Sequence, residues 1–205
     1  MTTSPALDIR SLLFKKSWVR LAASAFSLAI ASSVSATENL SICTNFSCKE
    51  KVLVELDQSH WQRVQRHFLP APKSPLNERN AIAAAIAEFE TIAGEMSVIA
   101  LDKGGNIDGI GLPGQLDCIA ESINTTTFLN ALDDNDLLKW HTVGEHSYRR
   151  PRIFDQHYAA TITIISGAQS WAVDSWHLDN GLQPYIQPVA DWSRKVTLPY
   201  NPDAE

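Results

Sequence analysis

The chain has 205 residues, 44 % of them apolar, with 17 Lys and Arg against 23 Asp and Glu and a formal charge of −6. An acidic balance argues against nucleic acid or an anionic membrane surface as partner. The length suits one domain with a single core, filled by tryptophans and Ile/Val-rich runs.

The first 36 residues read as a secretory signal peptide. Arg10, Lys15, Lys16 and Arg20 make a basic start, Leu21 to Ala31 a short apolar stretch, and Val34-Ser35-Ala36 a small-residue cleavage site. The apolar run is shorter and richer in serine than the ~20 residues that a membrane span needs. Cleavage after Ala36 predicts a soluble periplasmic or secreted domain, residues 37–205. It carries 13 basic against 22 acidic residues, a net charge of −9.

Three cysteines fall in this exported part. Cys43 and Cys48 are close in sequence, and an oxidising compartment favours a bridge between them. Cys118 is then left over: a reactive thiol, an intermolecular link or a buried structural residue. Cys43 and Cys48 have no second Cys/His pair at zinc spacing, so no metal site is expected there.

In chain order, Lys51–Leu56 reads as a strand and Asp57–Phe68 as a helix with Trp61, Val64 and Phe68 at helical spacing. His60, Arg63, Arg66 and His67 read as its solvated side. After Leu69-Pro70-Ala71-Pro72, Ser74-Pro75 gives an N-cap and a proline at the first helical position. The helix that follows runs to about Gly94 and is apolar enough, through Ile82, Ile86, Phe89 and Ala93, to be central. Asp102–Gly109 is a glycine-rich turn or mobile loop that approaches the next helix as a candidate lid. It lacks the acidic spacing of a calcium loop and the Gly-Lys-Ser/Thr of a phosphate loop. Pro113-Gly114 precedes a helix from about Gln115 to Leu132. Leu137–Val143 reads as a strand, Ser147–Gln156 as a basic connection, and His157–Ile165 and Trp171–Trp176 as strands. A tail through Tyr185 and Trp192 closes the domain. Helices first and strands later indicate an α+β fold with an antiparallel sheet.

Cys118 opens a helix, His157 opens a strand, and Asp174 lies in the next strand. The thiolate is the nucleophilic form of cysteine, and a helix N-terminus and a histidine both favour it, while a carboxylate orients the imidazole. Side chains alternate along a strand. A two-residue loop at Ser166-Gly167 puts Asp174 opposite Ala159, and a four-residue loop puts it opposite Thr161. Both leave it on His157's face, where Ala159, Thr161 and Thr163 are small enough for the Cys118 helix to pack closely. Asp117 sets a negative charge beside the sulfur, which opposes ionisation. Among the remaining polar residues, Gln115 is a candidate oxyanion donor. Trp176 is a candidate rim residue and His177 can reach the same rim. His141 reads as a satisfied strand histidine before an alternative base. Glu121, Ser122, Asn124 and Thr125 are unusually polar for a central helix, and Asn45 and Asn124 stand in glycosylation sequons.

The helix-start Cys118, then His157-Tyr-Ala-Ala-Thr-Ile-Thr-Ile, then Trp171-Ala-Val-Asp174-Ser-Trp176, resembles the core of transglutaminase-like, papain-fold cysteine enzymes over residues 115–176. The resemblance implies Cys118 as nucleophile, His157 as base and Asp174 as its orienter. Gln115 and the Cys118 backbone N–H then form the oxyanion site, and no cofactor is needed. The expected activity is an exported cysteine hydrolase or acyltransferase on amide bonds of peptides or proteins, including those of the cell envelope. The alternative is a non-catalytic exported domain that keeps the fold and binds through its groove.

Overall fold

A computed structural model of the chain describes residues 1, 37–150 and 156–194. The signal-peptide reading and the segment 151–155 fall outside the described residues. From residue 37 onward the described part belongs to one compact unit. Its elements are α+β, with four helices and two antiparallel sheets among the described residues. No described helix is long and apolar enough to cross a membrane.

β1 (Glu38–Cys43) and β2 (Lys51–Leu56) form a two-stranded ribbon, with Cys43 and Cys48 joined by the expected disulfide. The sequence reading had β2 and missed β1. α1 (Gln58–Gln65) starts on Asp57, whose carboxylate accepts from the Ser59 and His60 backbone N–H groups. Its basic residues are not simply solvated: Arg63 bridges Glu88 and Glu95, and Arg66 and His67 also reach Glu88. Those partners lie on α2 (Pro75–Met96), which begins at Ser74 and Pro75 as read. Ile82, Ile86, Phe89 and Ala93 are all buried, as expected of a central helix. α3 (Cys118–Asp134) packs beside it, with Phe89 stacked on Phe128 at 5.1 Å and Trp61 edge-on to Phe89 at 5.7 Å.

The second sheet has the order β3 (His141–Arg149), β4 (His157–Ile164), β5 (Ser170–Asp174), β6 (Tyr185–Pro188). β3 begins four residues after the strand read at Leu137. The cause is Glu78, whose carboxylate accepts the backbone N–H groups of Lys139, Trp140 and His141, so the amides leading into and opening β3 pair with a side chain. β3 also runs through Ser147–Arg149, read as part of a connection, because Tyr148 and Arg149 pair with Tyr158 and His157 across a bulge. α4 (Val189–Ser193) follows β6.

The β4–β5 register pairs Ala160 with Val173 and Thr161 with Ala172, the register of the two-residue turn. The packing of the faces differs from expectation. Ala160, Ile162 and Val173 join the main core with Ala120, Phe128 and Leu129 of α3, whereas Ala159 and Ala172 cluster with Trp192. The face of His157 and Asp174 is therefore covered by α4, and α3 lies against the other. Burial explains the choice: the alternation gives the α3 side the larger apolar set and leaves Thr161 and Thr163 on the other face.

Candidate active site

The start of α3 is built by three neighbours. Gly114 has φ +72° and packs so closely on Val98 that a Cβ there would stand 1.9 Å from the Val98 carbonyl oxygen, so only glycine fits. Asp117 caps the helix, its Oδ1 accepting the Ala120 N–H at 2.9 Å. The same carboxylate accepts the Ser47 N–H at 2.9 Å and the Ser47 hydroxyl at 3.2 Å, which ties the disulfide loop to the helix start. Cys118 is then the first helical residue, half-buried and with a free thiol. The helix starts three residues later than read, which leaves Gln115 in the preceding turn.

His157 Nε2 lies 2.7 Å from Asp174 Oδ2, with both side chains buried. Asp174 is almost fully buried, which works against its charge, but hydrogen bonds from His157 and His177 outweigh this and hold the carboxyl well below its ordinary range. An ionised carboxylate accepts only, so His157 donates to it from Nε2, and in the neutral imidazole Nδ1 is then the acceptor. Trp192 completes the arrangement: its indole N–H donates to the same Asp174 Oδ2 at 2.8 Å, and its ring lies 5.6 Å from that of His157. The rings of Trp176 and His177 flank His157 at 5.0 and 5.1 Å, and His177 Nε2 is 3.5 Å from Asp174 Oδ2.

The Cys118 sulfur receives the backbone N–H of Tyr158, the residue after His157, and that of Cys118 itself. The thiol thus stands by the backbone one residue after His157, whose ring lies on the sheet face covered by α4, and no hydrogen bond joins thiol and imidazole among the described residues. Burial pushes the thiol above its ordinary value. The carboxylates of Asp117 and Asp174 push it further, while the two backbone N–H groups pull it down. Cys118 thus rests as a thiol, against the expectation of a ready thiolate, because burial and two negative charges outweigh the helix end.

Gln115 sits beside this start but turns into the preceding loop. Its amide nitrogen donates to the Leu101 carbonyl, and its oxygen accepts from Asn106 at 2.6 Å. One N–H remains for another acceptor. The glycine-rich loop read as a lid is docked. The Gly105 N–H donates to the Trp176 carbonyl at 2.7 Å, the Gly104 N–H to Asp179 at 3.0 Å, and Lys103 pairs with Asp179 at 2.7 Å. A Cβ on Gly104 would stand 2.5 Å from the His177 carbonyl oxygen, so this approach too requires glycine.

The polar residues of α3 hold the scaffold. Asn124 donates to the Cys43 carbonyl at 3.0 Å and accepts its N–H at 2.7 Å, so this sequon asparagine is buried and engaged. Thr125 meets Ser175 at 3.3 Å, and Ser122 meets His146 at 3.2 Å. Glu121 hydrogen-bonds Asp102, whose Oδ1 also takes the Leu116 N–H at 2.7 Å. Two bonded carboxyls share a proton. Burial and the neighbouring acids push Glu121 well up, and burial pushes Glu90, beside Ser175, up to about 7. Glu121 had stood out as unusually polar for a central helix, but the buried Glu90 had not, since a glutamate on a helix gives no signal that it faces inward. Trp192 was read as core, which it is, but nothing local pointed to Asp174. His141 is the satisfied histidine that was read: fully buried, with Nδ1 2.9 Å from Glu78 Oε1.

A surface cleft lined by His67, Pro70, Pro72, Asn77 and Ala84 contains none of the residues of this cluster. No protein-family model, no curated protein and no solved structure matches the chain, and its function rests on what this cluster of side chains can do.

Proposed function

We propose that the protein is an exported cysteine hydrolase or acyltransferase that works on amide bonds, with a transglutaminase-like arrangement of Cys118, His157 and Asp174. The observation that carries this reading is the buried His157–Asp174 pair at 2.7 Å, one residue from the amide that holds the Cys118 sulfur at a helix start. The exported setting is supported by the Cys43–Cys48 disulfide. Peptides and proteins, including those of the cell envelope, are the substrate class.

In this reading His157 Nδ1 takes the thiol proton as Cys118 Sγ bonds to the carbonyl carbon, and the carbonyl π pair moves to oxygen. The Cys118 backbone N–H and the remaining Gln115 N–H stabilise that oxyanion. The intermediate collapses, the C–N bond breaks, and the leaving amine takes the proton from His157. Water or a second amine then resolves the thioester, giving hydrolysis or transfer. Asp174 and Trp192 keep the imidazole in the tautomer that leaves Nδ1 bare. Since Cys118 rests as a thiol, proton transfer and attack are coupled.

The rival is a non-catalytic binding domain. It is favoured by the raised Cys118 pKa and by the engagement of Gln115 with Leu101. The deciding experiment is a burst assay with p-nitrophenyl acetate in EDTA. A stoichiometric burst that leaves an acyl group on Cys118 and disappears in His157→Ala supports the enzyme. A folded wild type that shows no burst, or an equal one in His157→Ala, leaves the binding domain.

A further inference from the structure

We propose that His157, Asp174 and His177 form a zinc-binding site whose occupation disables the base of the triad. The binding rests on the cluster itself; its consequence for Cys118 rests on the functional reading above.

One ligand atom from each of the three residues lies within 4.8 Å of the other two. His157 and His177 both present Nε2 to Asp174, at 2.7 and 3.5 Å from Oδ2. Two imidazole nitrogens and a carboxylate oxygen are a zinc donor set, and ligands about 2.0–2.2 Å from a tetrahedral ion stand about 3.3 Å apart. The His177–Asp174 separation of 3.5 Å is already near that value, the His157–Asp174 pair at 2.7 Å needs to open by about 0.6 Å, and the two histidines, within 4.8 Å of each other, need to draw together. Calcium and magnesium take all-oxygen shells, which this donor set does not offer.

A second observation concerns the carboxylate. Asp174 Oδ2 faces three donors, His157, Trp192 and His177, whereas Oδ1 is buried with no hydrogen-bond partner among the described residues. A buried carboxylate with one oxygen unpartnered is unfavourable, and a cation held on the carboxylate offsets its charge. The Trp192 indole then remains on the carboxylate as the outer hydrogen bond that orients a metal ligand. Entry is from the His177 side, whose side chain is 30 % exposed against 4 % and 1 % for His157 and Asp174. The ring of Trp176, 5.1 Å away, and the Gly104 backbone beneath it hold His177 in place.

Zinc on Nε2 requires the single hydrogen of neutral imidazole to sit on Nδ1. Nδ1 is then a donor and cannot take the Cys118 proton. Three protein ligands leave a fourth position for water. The two histidines thus have different parts: His157 serves the thiol, and His177 is surplus to that chemistry but completes the ion's shell.

The test is a titration of the exported chain, disulfide intact, with zinc chloride against a chromophoric chelator. The proposal expects one zinc per chain, affinity reduced at least about tenfold in His177→Ala and in His177→Asn, and affinity within about threefold of wild type in Cys118→Ser. Millimolar calcium or magnesium does not compete. Absence of stoichiometric zinc, full affinity in both His177 variants, or loss of zinc in Cys118→Ser overturns it. Zinc is also expected to abolish the p-nitrophenyl acetate burst and EDTA to restore it; a burst that persists at saturating zinc overturns the disabling role. If zinc binds as described but the burst in EDTA does not depend on His157, the metal site stands and the catalytic reading fails.

Discussion

Ser47 donates through both its backbone N–H and its hydroxyl to Asp117, the residue before the candidate nucleophile. Ser47 lies inside the Cys43–Cys48 loop, and the Asn124 amide of α3 holds the Cys43 backbone on both its N–H and C=O. The small ribbon is thus fastened to the nucleophile helix at two points, one at its cap and one two turns in. The disulfide is part of the site's support.

Replacing both Cys43 and Cys48 with serine is expected to lower stability by about 2 kcal/mol, the chain-entropy value for so short a loop. Calorimetry checks this as a fall in Tm of about 4–8 °C for a domain of this size. The same variant should alkylate Cys118 faster, because Ser47 no longer pins Asp117 at the helix start. An unchanged alkylation rate alongside the lower Tm would separate the ribbon from the site.

Asp117→Asn isolates the charge from the cap. Asparagine caps a helix about as well as aspartate. Removing the negative charge stabilises the thiolate, so the pH midpoint of iodoacetamide alkylation at Cys118 moves down while Tm stays nearly constant. The wild-type midpoint itself is expected above the ~8.5 of a free thiol, since burial and two carboxylates raise it. Mass spectrometry of Cys118 alkylation across pH 6 to 10 reads both midpoints. A variant midpoint at or above the wild-type one contradicts the role given to Asp117.

The candidate site was legible where chemistry follows from local pattern. Pro113-Gly114 marked the approach to the Cys118 helix, though its start was read three residues early because the cap at Asp117 went unrecognised, and strand alternation with an even-length turn put Asp174 on the face of His157. What depended on distant pairing was not legible. Trp192 reaches Asp174 because β6 adds beside β5 and turns into α4, which no residue near Trp192 announces. The packing face of α3 was misjudged because small residues were taken to attract a helix, whereas the apolar area of Ala160, Ile162 and Val173 decided it. Glu78 was invisible for a similar reason. Its carboxylate replaces strand partners for three backbone N–H groups, and so moved the start of β3.

The buried acids give stability a pH slope of known sign. Glu90 ionises near 4.3 in an unfolded chain and only at about 7 when folded. Between those values the folded state holds the extra proton, so stability is full below about pH 4.3 and is lost as pH rises through about 7. Glu121 and Asp102, both raised, act in the same direction. Urea midpoints are therefore expected to fall from pH 5 to pH 8. Glu90→Gln should flatten its share of that fall and make the protein relatively more stable at pH 8 than at pH 5. A wild-type midpoint that rises over this range would show that the three carboxyls are ionised in the fold.

Trp192 offers the sharpest test of how the base is held. It is fully buried, and its indole N–H shares Asp174 Oδ2 with His157. Trp192→Phe keeps most of the apolar packing on Ala159 and Ala172 but removes that donor. The lost hydrogen bond to a charged group, with some cavity, costs roughly 2–4 kcal/mol. Asp174 keeps its charge and its bond to His157, so the Nε2–H tautomer survives and the acylation burst should slow by about tenfold or less. Asp174→Asn is different in kind. An amide can turn its NH2 toward Nε2, which moves the imidazole hydrogen to Nδ1 and removes the acceptor for the thiol proton, a loss of the order of 10⁴ in triads of this logic. Stopped-flow p-nitrophenyl acetate bursts on the two variants, each checked for fold by circular dichroism, separate the roles. Equal slowing in both would mean that Asp174 acts by packing and charge alone, and that the orientation of His157 is set elsewhere.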